Sequence, residues 1–166
     1  ERTTPPKNDF LQNVRDLCTN NGIVLIFDEC TSGFRKSFGG LHLLHGVYPD
    51  IAMFGKALGN GFGINAVIGK RNIMESSQRT FISSTNWTES VGPTAGLATL
   101  QKMEEIKSWE ILIENAACYR ETISHVAKEA NLEVKFSGIE PLTVHEFVSD
   151  YLTDRNYPEF KTFITQ

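Results

Sequence analysis

Apolar positions along the chain follow two rhythms. After Asp9, a residue type suited to a helix N-cap, Phe10, Leu11, Val14, Leu17 and Cys18 recur at helical spacing until Asn21-Gly22 supplies a stop. The run Ile23 to Phe27 is short, continuous and rich in β-branched residues, which predicts a strand buried on both faces. Asp28 to Gly40 is polar and glycine-bearing and reads as a loop. Pro49-Asp50 introduces a second apolar strand, Ile51 to Phe54. A glycine-punctuated stretch follows, from Gly55 to Gly63, and a third strand is predicted over Ile64 to Ile68. Lys70 to Ser77 suits a short helix and Ser83 to Ser90 a polar loop. Pro93 fits the first turn of a helix reaching about Ile106. Ser108 is placed to cap the next helix, which carries Ile111, Leu112, Ala116, Ile123 and Val126 and ends near Ala130.

Beyond this point the pattern shifts. Leu132 to Phe136 and Leu142 to Phe147 read as strands of a second unit, and Tyr157-Pro158 opens a last helix. The expected fold is α/β: a mostly parallel sheet with helices over residues 1–107, a connecting helix over 108–131, and the start of a small α+β domain over 132–166.

Composition narrows the function classes. A chain of 166 residues can bury an ordinary core. Its net charge is -4 and no basic run exceeds two adjacent residues, so nothing favours a nucleic-acid surface. The longest apolar runs are far too short to cross a bilayer. Three cysteines, Cys18, Cys30 and Cys118, are odd in number and lack CxxC spacing, which favours a reducing compartment, the cytoplasm. Glu1 to Pro6 reads as a loop that begins within something larger.

Three segments carry candidate chemistry. Asp28-Glu29 places two carboxylates just past a strand, where open α/β sheets bind ligands; a carboxylate there can hold a cation or a protonated ring nitrogen, although charged strand ends are also common without function. Gly55-Lys56-Ala57-Leu58-Gly59 sets a lysine at the end of another strand among small residues. Desolvation there favours an amine that condenses with a carbonyl to a Schiff base, whereas a lone lysine is more often a solvated surface residue. The segment fails as a P-loop because Ala57 follows the lysine, and the glycines from Gly59 to Gly63 fail the dinucleotide spacing, so a nucleotide-binding domain is disfavoured. Ser83 to Ser90 is dense in hydroxyls ahead of a helix, which suits a phosphate or merely a capped loop. His42 and His45 lie three apart with no further ligand cluster and read as helix-surface residues; Arg35 reads as an exposed loop arginine that could contact an anion.

Taken together, LIFDECTSGFR, GVYPDIAMFGKALGNG and STNWTESVGPTAGLATL resemble the class III pyridoxal-phosphate-dependent aminotransferases, in particular their glutamate-1-semialdehyde aminomutase-like branch. The resemblance implies part of a fold-type I pyridoxal-phosphate enzyme that moves an amino group between small-molecule donor and acceptor, or within one molecule, in a homodimer. It implies pyridoxal 5'-phosphate as cofactor, with Lys56 bonded to it, Asp28 against its pyridine nitrogen, and Thr88 reaching a phosphate in the neighbouring subunit. Cys30 falls where the family often has a valine against the ring. Family members are well over twice this length, so a piece of a longer enzyme is expected. A non-catalytic α/β module that kept the motifs is the alternative, and cofactor binding separates the two.

Overall fold

A computed structural model of the chain describes residues 5–83, 88–148 and 158. One compact unit spans Pro5–Ile113 and another begins at Glu114. In the first, helix α1 (Phe10–Asn20) leads to strand β1 (Ile26–Asp28), a short helix α2 (His42–His45), strand β2 (Ile51–Phe54), a 3-10 turn over Lys56–Leu58, strand β3 (Ala66–Gly69), a short helix α3 (Arg71–Met74) and helix α4 (Val91–Ile106). Helix α5 (Ser108–Glu129) contains the division between the units. Strands β4 (Glu133–Ser137) and β5 (Val144–Val148) follow it. The last predicted helix lies, apart from Pro158, outside the described residues.

The three strands of the first unit form a sheet of order β1-β2-β3. β1 runs parallel to β2 with Phe27 opposite Ala52 and Asp28 opposite Met53, and β2 runs antiparallel to β3 with Phe54 opposite Ala66. The described sheet is therefore mixed, with one parallel and one antiparallel pairing. The parallel pairing brings the carboxyl ends of β1 and β2 together, and with them Asp28 and the Gly55-Lys56 step. Ala52, Phe54 and Leu58 form the buried cluster, with Phe34, Ile64, Ala66 and Leu100 packed against it. Helix α4 comes close to this layer through Gly92, where a Cβ would stand 2.9 Å from the carbonyl oxygen of Gly63.

Three local expectations are corrected. The first strand is shorter than the apolar run and not buried on both faces: Ile23, Val24 and Ile26 are exposed, because among the described residues β1 is an edge strand with β2 as its neighbour. Asp9 does precede the first helix, but its backbone is left-handed and its side chain makes no cap hydrogen bond. Ser108 lies inside α5 rather than before it, and its buried Oγ has no hydrogen-bond partner.

Asp50 secures the opposite end of the sheet. Its carboxylate accepts hydrogen bonds from Leu25 N, Lys70 Nζ and an Arg15 guanidinium nitrogen, each at 2.8 Å. One buried side chain thus joins α1, the entry to β1 and the exit of β3. The Leu25 amide, then the Lys70 and Arg15 cations, hold its carboxyl well below the usual carboxylate range. A folded-state value below the unfolded one stabilises the fold in full above about pH 5, and that contribution fades as pH falls through about 4 and below. We expect Asp50→Asn to lower stability by roughly 2–3 kcal/mol at neutral pH, since it weakens charge-assisted bonds around a buried acceptor. The gap should close in acid, as seen in urea melts of both proteins at pH 7 and pH 3.

In the second unit β4 and β5 form an antiparallel pair with Phe136 opposite His145. Arg120 of α5 donates from Nε to Thr143 Oγ1 (2.7 Å), and its guanidinium lies 5.7 Å from the centre of the Phe136 ring.

Candidate active site

Four side chains meet at the carboxyl ends of β1 and β2. Asp28 ends β1, and its Oδ1 accepts the backbone N–H of Cys30 at 3.0 Å, a tight side-chain turn. That amide, then the Cys30 thiol and the nearby Lys56 ammonium, keep the Asp28 carboxyl below its ordinary range, so it is ionised at neutral pH. The same carboxylate pushes the Cys30 thiol up, which keeps the sulfur protonated and poorly nucleophilic. Cys30 is half-buried and packs over Gly55: a Cβ on Gly55 would lie 3.4 Å from its Sγ and 2.6 Å from Asn65 Oδ1. A side chain there would displace the Asn65 amide while merely touching the sulfur. Asp28 itself is exposed, on the open side of the edge strand, rather than enclosed behind a buried one.

Lys56 follows Gly55 at the start of the 3-10 turn, with a left-handed backbone (φ 32°) and an exposed side chain. Its Nζ donates a hydrogen bond to Thr31 Oγ1 at 2.5 Å. Ala57 and Leu58, the next two residues, are buried, so the turn anchors the backbone while the amine reaches out toward the Asp28 loop. Of the expected site residues, the structure brings Asp28, Cys30 and Lys56 together. Thr88 is described and exposed. Ser84 to Trp87, the centre of the hydroxyl-rich loop, lie outside the described residues. Beside Thr88, Glu89 turns its carboxylate onto the first amides of α4, accepting from Val91 N at 2.5 Å and Gly92 N at 2.9 Å. These two donors at the helix end are thereby satisfied within the chain.

Behind Asp28, the second carboxylate of the candidate pair is a buried anchor engaged within the chain rather than a ligand-facing group. Glu29 is 4% exposed. It accepts hydrogen bonds from the Ser32 hydroxyl and from both the backbone N–H and ring Nδ1 of His42, each of the last two at 2.9 Å. Burial pushes its carboxyl up, but these donors outweigh it and hold the group below its ordinary range. His42 is therefore a partner of Glu29 and not a helix-surface residue, whereas His45 is exposed as expected. Arg35 is half-buried with its Nε enclosed and unpartnered, again unlike an exposed loop arginine. Among the described residues no group of three or more His, Cys, Asp or Glu could hold a metal ion, and no helix is long and apolar enough to cross a membrane.

Comparisons with known proteins bear on the family of the chain. The family model "Aminotransferase class-III" matches residues 3–136. The chain is 34% identical over 155 residues to glutamate-1-semialdehyde 2,1-aminomutase of Citrifermentans bemidjiense, covering 92% of this chain and 36% of that protein. It is 36% identical over 134 residues to 3-aminobutyryl-CoA aminotransferase of Cloacimonas acidaminovorans, covering 80% and 32%. Among solved structures, the PLP internal aldimine form of the Sphingopyxis sp. MTA144 FumI protein matches with a TM-score of 0.81 and 26% identity, over 86% of this chain and 34% of that one. The chain thus spans about a third of the length of the curated relatives it matches. With a family model matched over most of its length and relatives above 30% identity across nearly all of it, the chain belongs to the class III aminotransferase family.

Proposed function

We propose that the protein binds pyridoxal 5'-phosphate through these residues and transfers an amino group to or from a small aldehyde or keto compound. The observation that carries this reading is the placement of Asp28 and Lys56 at the carboxyl ends of two adjacent parallel strands. The donor set fits the cofactor: a nucleophilic amine for its carbonyl and a carboxylate for a protonated ring nitrogen. When bound, the cofactor supplies an electron sink for the substrate carbon that loses its proton. Lys56 Nζ would hold the cofactor by condensing with its carbonyl, with loss of water, and once displaced by a substrate amine would carry the proton to and from the substrate carbon. Asp28 would keep the proton on the ring nitrogen. Cys30, kept protonated, serves as an apolar packer against the ring, where the family often has valine. We assign the Thr88 hydroxyl to the cofactor's phosphate across a homodimer interface. The three free thiols, among them the exposed Cys118, support a cytoplasmic setting.

Transfer between two molecules and transfer within one both remain open to this site, since the relatives include an aminotransferase and an aminomutase. The test is chemical. The protein is incubated with pyridoxal phosphate, reduced with borohydride and digested, and the pyridoxyl label is mapped by mass spectrometry. A label concentrated on the peptide bearing Lys56 supports the reading. Scattered labelling across surface lysines sinks it and favours a module that kept the motifs without the chemistry.

A further inference from the structure

We infer that Thr31 is a positioning residue for Lys56: its hydroxyl accepts a hydrogen bond from Nζ at 2.5 Å and fixes where the amine stands. A lysine side chain has four rotatable bonds, and that of Lys56 is exposed. Without a partner its amine would sample a wide volume and rarely sit at the strand ends. Thr31 itself is well placed to act as a fixed point. It belongs to a turn clamped at several atoms: Glu29 N donates to Met53 O (2.8 Å), Cys30 N to Asp28 Oδ1 (3.0 Å) and Gly33 N to Glu29 O (2.8 Å). The neighbouring Ser32 is tied to the buried Glu29 carboxylate, which His42 also holds. The branched side chain of threonine adds stiffness at χ1.

The chemistry of the partner fits the task. A carboxylate in this position could only accept and would favour the charged ammonium. A hydroxyl both accepts and donates hydrogen bonds, so Thr31 can accept one from the ammonium and donate one to the neutral amine. It can therefore stay with Lys56 through either protonation state, while Asp28, three residues earlier, keeps its own charge for a different partner.

This inference rests on the proposed role of Lys56, and its test separates the two. The first measurement needs no cofactor: proton exchange between the Lys56 ammonium and water, followed by 15N NMR in the wild type, Thr31→Val and Thr31→Ser. Thr31→Val keeps the shape and removes the hydroxyl; backbone amide shifts away from the turn report whether the fold is kept. We expect slowed exchange at Lys56 in the wild type and Thr31→Ser, and several-fold faster exchange in Thr31→Val. Unchanged exchange in Thr31→Val overturns the inference, whatever the cofactor does. The second measurement is the pyridoxal phosphate concentration for half-maximal borohydride capture at Lys56. It should rise about three- to tenfold in Thr31→Val, as expected for one lost hydrogen bond, and recover in Thr31→Ser. Absence of capture in the wild type would reject the cofactor reading, with the exchange data still deciding the role of Thr31.

Discussion

Replacing Lys56 with alanine should abolish borohydride-fixed attachment of pyridoxal phosphate at the site, reducing the label on that peptide to background. Lys70, the next lysine along the chain, is engaged with Asp50 at the far end of the sheet. Lys56→Gly provides the control for folding. The backbone at Lys56 is left-handed (φ 32°), a conformation that glycine adopts without a Cβ penalty. The glycine variant should therefore lose the label as completely as the alanine variant while unfolding at a similar or slightly higher denaturant concentration. Peptide mapping and a urea melt of each variant check both halves. Equal label on the same peptide in Lys56→Ala would refute the assignment, since the remaining groups there, Thr31, Cys30 and Asn65, offer no amine.

The strand ends that frame this site were legible because two independent patterns coincide. Short apolar runs give the strands, and the residues that punctuate them, Asp28-Glu29 and Gly55-Lys56, stand just past their ends. The parallel pairing of β1 with β2 then places both pairs on one side of the sheet. What local pattern could not supply are the partners. Thr31 lies 25 residues from Lys56 and Glu29 lies 13 from His42, and nothing in the spacing says that they meet. Asp50 read as part of a strand entry, yet it joins segments 35, 25 and 20 residues away. The hydroxyls of Thr31 and Ser32 sat in full view inside the first motif, and a reading that followed charge alone passed over them. The apolar run from Ile23 misled in the other direction. Hydrophobicity reports the environment a strand is suited to, whereas exposure depends on which neighbours are present, and β1 has β2 on one side only among the described residues. The antiparallel direction of β3 is likewise beyond local pattern, since a strand of four residues does not announce its direction.

Asp28→Asn should separate binding from turnover. The asparagine has nearly the same shape and its amide oxygen can still accept the Cys30 N–H, so the turn at 28–30 is retained and pyridoxal phosphate should still be captured at Lys56. What is lost is the negative charge. Asp28 is ionised at neutral pH because the Cys30 amide, the Cys30 thiol and Lys56 all favour its charged form. A fixed charge beside the cofactor's ring nitrogen is what would keep that nitrogen protonated. Without it the ring would be a weaker electron sink, and under the proposed roles the removal of the substrate proton would slow most. We expect turnover of the active protein to fall at least about a hundredfold, the scale on which a single preorganised electrostatic contact to a reacting system is felt. Two further readouts distinguish this from damage to the fold. Half-saturation of cofactor capture should change by only a few-fold, and Cys30 should react faster with a thiol reagent. The second follows because the Asp28 carboxylate is the group that holds the thiol protonated. Normal turnover in Asp28→Asn would remove the residue from the site, whereas loss of capture together with loss of turnover would assign it to holding the turn rather than tuning the ring.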